Sequence, residues 1–129
     1  MLCSILLSFT LLLAGQTDTS LNYTAVGPED FLTLIRFKEN AVLIDVRLPS
    51  EYRKGHIEKS INIPVKLSHK KFIRKVSFIP KESVILLYCE SDMRSIHAAK
   101  RLYDAGYRKI YILEGGITAW KRKLLPLEI

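Results

Sequence analysis

The chain has 129 residues, 48% of them apolar, which is enough to bury one core and excludes a disordered polypeptide. Its two cysteines exclude a disulfide scaffold. The net charge of +7 suits nucleic acid, an anionic membrane or small anions. A cluster of basic residues, however, lies between Lys66 and Lys81 on one side of an amphipathic pattern, and no nucleic-acid motif accompanies it, so a nucleic-acid partner is not expected.

Residues 1–15 read MLCSILLSFTLLLAG, apolar and uncharged, followed by the polar run Gln16 to Ser20. This predicts an export signal with small residues, Ala14-Gly15, at the cleavage region. The run is too short for a comfortable membrane-spanning helix. No Lys or Arg precedes it, and Gln16 stands where a lipoprotein signal needs Cys. The expected organisation is a signal and spacer over 1–20 and one domain over 21–129. That domain is exported, periplasmic or secreted, with no stable membrane insertion after signal removal, or is anchored where the segment is retained. Cleavage removes Cys3 and leaves Cys89 as the one cysteine of the mature domain.

The rest alternates helix and strand signals. Gly27-Pro28-Glu29-Asp30 starts a helix, because proline suits the first turn and the acids suit its dipole. It runs through Phe31, Leu34, Ile35 and Phe37 and ends by Asn40. Val42 to Val46 is a short apolar strand ending in charge. Pro49 to Lys54 is a short helix stopped by Gly55. Ile61 to Pro64 is a strand closed by proline. A basic helix follows within Lys66 to Lys81, with Leu67, Phe72, Ile73 and Val76 on its apolar side. Val84 to Tyr88 is a buried strand, Ser95 to Ala105 a helix ended by Gly106, and Lys109 to Leu113 a strand. Gly115-Gly116 turns the chain into a last helix with Ala119 and Trp120. Strands separated by helices predict parallel crossover units, an α/β fold with helices on both faces. Ligands in such sheets bind beyond the carboxyl ends of the strands, where Asp45, Arg47 and Cys89 all lie.

Cys89-Glu90-Ser91-Asp92-Met93-Arg94-Ser95 carries the chemistry. A cysteine at the end of a buried strand, on a loop that opens into a helix, sits where loop amides and the positive helix end favour an anion. The thiolate is the reactive form of cysteine, and this setting favours it. Cys89 is therefore the candidate nucleophile. Glu90, Ser91, Asp92, Met93, Arg94 and Ser95 form the candidate substrate loop, and Arg94 adds a permanent positive charge. The plain alternative is a buried structural cysteine.

Asp45-Val46-Arg47, Glu51-Tyr52, Gly55-His56-Ile57, Asn62-Ile63-Pro64, the Cys89 loop with Arg94-Ser95, and Glu114-Gly115-Gly116 with Trp120 together resemble the single-domain rhodanese family. The resemblance runs from about Tyr23 to about Leu125. It implies a rhodanese-like fold, a central parallel sheet of about five strands with helices on both faces. It also implies sulfurtransferase chemistry without a cofactor. A small-molecule donor such as thiosulfate or polysulfide gives a sulfane sulfur to Cys89. The persulfide then passes it to cyanide, a small thiol or a protein thiol. Loop amides would stabilise the anionic sulfur and Arg94 would orient the donor. Asp45 and Arg47 would support the site, Arg47 by pairing with Glu51 and Asp45 from beneath the loop.

Other residues receive structural readings. His56 fixes the turn after Gly55, Trp120 belongs to the core, and His69 and His97 lack metal-ligand spacing. Phosphatases of related fold place one more residue between Cys and Arg than the four found here, so sulfur suits this loop better than phosphate. A second rival is a catalytically weak binding or redox-sensing module. The family often has a basic residue after the Cys and a Gly three positions after it, where this chain has Glu90 and Asp92. Asp92 is expected to tolerate the left-handed backbone that lets the loop close. The two carboxylates are expected to disfavour a dianionic donor such as thiosulfate.

Overall fold

The computed structural model describes residues 21–129. The predicted export signal, its spacer and Cys3 lie outside the described residues. The elements are β1 (Thr24–Val26), α1 (Pro28–Phe37), β2 (Ala41–Asp45), α2 (Pro49–Lys54), β3 (Ile61–Asn62), α3 (His69–Val76), β4 (Val84–Tyr88), α4 (Met93–Asp104), β5 (Lys109–Leu113) and α5 (Gly116–Arg122). All pairings in the five-stranded sheet are parallel, in the order β1-β5-β4-β2-β3. The α/β class and the strand number agree with the sequence reading.

The apolar pattern explains the layers. Strand β4 reads Val-Ile-Leu-Leu-Tyr and is buried throughout, as a central parallel strand covered on both faces must be. Its side chains alternate between two cores. Ile85, Leu87 and Cys89 join Phe72 and Val76 of α3 and Ala98, Ala99 and Leu102 of α4. Val84, Leu86 and Tyr88 join Phe31 of α1 and Ile117 and Trp120 of α5. Phe31 and Trp120 meet edge to face at 6.4 Å between ring centres, and the Trp120 indole N–H donates to the Pro126 carbonyl.

Several bounds differ from expectation. The sequence reading had no strand at β1, because three residues with two exposed carry no usable alternation. The expected strand to Pro64 ends at Asn62, since proline offers no N–H to a ladder. The basic helix is confined to His69–Val76, with Ser68 accepting the Lys71 N–H at its start. Helix α4 begins at Met93, two residues before the expected Ser95.

Topology places the site. From β2 the chain moves outward to β3, and from β4 it moves the other way to β5. The crevice between the carboxyl ends of β2 and β4 is therefore the switch point of the sheet, where ligands bind in open α/β folds. In register, Asp45 pairs with Tyr88, which sets Val46 level with Cys89.

Candidate active site

Cys89 leaves the end of β4 with 1% of its surface exposed. The following loop runs into α4, the ordinary place for unpaired amides, because the first N–H groups of a helix have no carbonyl before them. Among the described residues, the N–H groups of Glu90 to Ser95 donate to no protein acceptor. The Ser95 hydroxyl, on the first turn of α4, is buried and also lacks a protein partner. Unpaired donors next to a cysteine form a ready anion site.

Two ion pairs hold this region, and neither is the one expected. The prediction that Arg47 pairs with Glu51 is corrected. Arg47 pairs instead with Asp45: its Nη2 donates to Oδ2 at 2.7 Å and its Nε to Oδ1 at 3.0 Å. Its backbone N–H donates to the same carboxylate, and Nη2 also reaches the Gly55 carbonyl at 2.7 Å. Both side chains are buried, Asp45 at 0% and Arg47 at 3% exposure. Burial opposes the Arg47 charge, but the Asp45 contact outweighs it and raises its affinity for the proton. The signal was available: residues two apart at a strand end point to the same side. Asp45 thus acts through Arg47 rather than beneath the loop. Arg47 Nη1 reaches that loop, 3.7 Å from Glu90.

Glu51 belongs to Arg94. The guanidinium donates to both its oxygens, at 2.7 and 2.9 Å, the fork geometry of a strong bidentate pair. The pair ties the Cys89 loop to α2 and holds much of the Arg94 charge. The Arg94 contact is the main reason that the Glu51 carboxyl is pulled down to about 2, helped by the Leu48 N–H it also accepts. A carboxyl with a lowered folded-state value stabilises the fold above its ordinary value near 4.5 and loses that contribution as pH falls towards 2. Both partners are partly exposed, so the expected contribution is about 1 kcal/mol. Chemical denaturation at pH 6 and pH 3 should show wild type losing its advantage over Glu51→Gln across that window. Equal pH profiles for the two proteins would contradict the assignment.

Glu90 and Asp92 were expected to face the donor, and the structure gives both another task. Glu90 Oε2 accepts the Thr118 hydroxyl at 3.1 Å. Asp92 Oδ1 accepts the Gly115 N–H at 2.9 Å. Backbone bonds from Ile117 N–H to the Cys89 carbonyl and from Thr118 N–H to the Glu90 carbonyl complete the seam. The start of α5 therefore clamps the loop. Asp92 is not left-handed: its φ is −138°, so the expectation about closure is corrected. The loop closes by hydrogen bonding to the β5–α5 turn, and the left-handed residues sit in that turn, at Gly115 and Gly116.

Sequence reasoning missed Gly116 as a site residue. A β-carbon there would fall 2.5 Å from the Glu90 and Ser91 backbone, and φ is +60°. Gly116→Ala should push the loop away from α5. Because displacements near 1 Å cost about 100-fold in catalysis, that is the expected fall in Cys89-dependent turnover. The global unfolding midpoint should move far less. Unchanged turnover would dismiss the clamp.

The remaining predicted residues fall as follows. His56 stacks on Tyr52 at 3.8 Å, with Nδ1 3.0 Å from the Tyr52 carbonyl, and its backbone exchanges bonds with Glu128. It holds a turn, as expected. Asn62 donates to the Asp45 and Arg47 carbonyls and fixes the corner after β2. The Tyr88 hydroxyl meets Ser60 and the Ile57 N–H, and burial pushes its ionisation upwards. Ser91 is exposed on the loop and Met93 is exposed at the first position of α4.

The family model for the rhodanese-like domain matches residues 28–123. A sulfurtransferase of Allochromatium vinosum is 36% identical over 89 residues, covering 69% of this chain and 79% of that protein. The crystal structure of the BH2092 protein from Bacillus halodurans superposes with a TM-score of 0.71 at 27% identity, covering 85% of this chain and 79% of that one. The solution structure of the polysulfide-sulfur transferase homodimer of Wolinella succinogenes matches in fold, with a TM-score of 0.68 at 24% identity, covering 83% of this chain and 79% of that one.

Proposed function

This chain belongs to the rhodanese-like domain family, and on that premise we propose that it is a sulfurtransferase working through a Cys89 persulfide. The donor is a sulfane-sulfur compound such as thiosulfate or polysulfide, and the acceptor is a thiol or cyanide. One observation carries the reading. Cys89 stands at the switch point of the sheet, beside a loop whose amides, and the Ser95 hydroxyl, have no protein partner among the described residues.

The chemistry follows from that setting. The Cys89 thiolate attacks the outer sulfur of thiosulfate. The new S–S bond forms as the old one breaks, and sulfite leaves with the bonding pair. The negative charge then rests on the outer sulfur of the persulfide. Fixed donors aimed at such a charge stabilise it without reorganising at the moment of reaction. The intermediate splits one difficult transfer into two easier displacements. The Asp45–Arg47 and Glu51–Arg94 pairs are positioning pairs, holding the loop from β2 and α2.

Mass spectrometry tests this directly. Protein exposed to thiosulfate or polysulfide should gain the mass of one sulfur on the peptide containing Cys89, and cyanide should remove it. A Cys89 peptide that stays unmodified with both donors would leave a binding or redox-sensing module as the better reading.

A further inference from the structure

Beside the Cys89 loop lies an open groove of about 480 Å³. Its floor is apolar: Val46, Leu48 and Val65. Val46 is level with Cys89 across the β2–β4 register. Val46, Val65 and Cys89 belong to the same buried cluster, so groove and sulfur share one side of the sheet. The rim is basic: Lys66, Arg94, His97 and Arg101, with no carboxylate among the lining residues. Glu51 offsets Arg94. Arg101 donates to the Val65 and Leu67 carbonyls and lies over the Phe72 ring at 5.6 Å, and among the described residues no carboxylate pairs with it. Lys66 is exposed and, among the described residues, has no ion-pair partner. Helix α3 carries Lys70, Lys71, Arg74 and Lys75 exposed on its surface, outside the groove lining.

An inorganic donor needs no apolar floor and fills a small part of this volume. The groove has the size and mixed lining of a site for a small organic molecule. We propose that it holds the acceptor, a small organic thiol with an apolar body and a carboxylate or phosphate group. The body lies over Val46, Leu48 and Val65, and the anion faces Lys66 and Arg101. This rests on the sulfurtransferase reading and names the second substrate's class. In the second step the acceptor thiolate attacks the outer persulfide sulfur. Its new S–S bond forms, the Cys89 S–S bond breaks, and Cys89 leaves as the thiolate.

Mercaptohexanoate and mercaptohexanol are matched probes that differ in the anion. With protein preloaded by polysulfide and freed of excess donor, discharge should half-saturate at about tenfold lower mercaptohexanoate than mercaptohexanol. Added salt should narrow the gap. Lys66→Glu should abolish most of it, while slowing loading from the anionic polysulfide by a smaller factor. Equal half-saturation of the two thiols on wild type, or an undiminished gap in Lys66→Glu, overturns the proposal. Calorimetry of mercaptohexanoate on Cys89→Ser protein separates the two readings. Binding that Lys66→Glu weakens supports the groove even if Cys89 takes up no sulfur, an outcome that defeats the sulfurtransferase reading instead. No binding to the folded Cys89→Ser protein overturns the groove.

Discussion

Cys89→Ser is expected to reduce sulfur transfer by about 1,000-fold or more, to the level of protein-free solution, while the fold persists. Serine is close to cysteine in shape. Among the described residues Cys89 makes no disulfide, and one small polar atom replaces sulfur in a site that already faces unpaired amides. Unfolding should therefore shift by about 1 kcal/mol or less. The hydroxyl, by contrast, stays protonated at neutral pH and is a far poorer nucleophile than a thiolate. Steady-state transfer assays beside thermal unfolding of the same samples give both numbers. Cys89→Ala provides a second variant with no nucleophile at all. Substantial transfer in either would remove Cys89 from the reaction, whatever family the chain belongs to.

Arg47→Met should be the most damaging single change to stability. Asp45 is completely buried, and Arg47 is the group that compensates it. Removing one partner of a buried pair leaves an uncompensated charge, which costs about 3–5 kcal/mol. The same change frees the Gly55 carbonyl of its donor and removes the stacking of the guanidinium over the Tyr88 ring at 5.7 Å. For a domain of this size the expected fall in Tm exceeds about 10 °C. The double variant Asp45→Asn, Arg47→Met should recover part of the loss, since a neutral amide costs less to bury than a lone carboxylate. A fall of only a degree or two in the single variant would show that the pair contributes little. A double variant no better than the single would place the cost in packing rather than in charge.

The placement of Cys89 was legible because each of its signals is local. A run of apolar residues, then a polar loop, then helical spacing lie within twenty residues of one another, from Val84 to Leu102. The clamp was not legible. Gly115 and Gly116 read as a turn, and only the packed structure brings Gly116 against Glu90 and Ser91. The same holds for Thr118, an ordinary helix residue by sequence, which caps the Glu90 carboxylate. Strand β1 was missed because it takes its order from β5, against which it pairs from Thr24 to Val26.

The sequence by itself determined the α/β class, the two apolar faces and the strand-loop-helix that carries Cys89, because hydrophobic periodicity acts over a few residues and needs no partner. It also held the order of short motifs by which the family is known. Tertiary structure decided which charges meet. Glu51 and Arg94 are forty-three residues apart and join only because the switch point brings the ends of β2 and β4 together. A charged side chain carries no local mark of its partner. Its choice is made by whichever oppositely charged group the folded backbone sets within hydrogen-bonding reach, and here that assigned Arg47 to Asp45 and left Glu51 for Arg94 on the Cys89 loop.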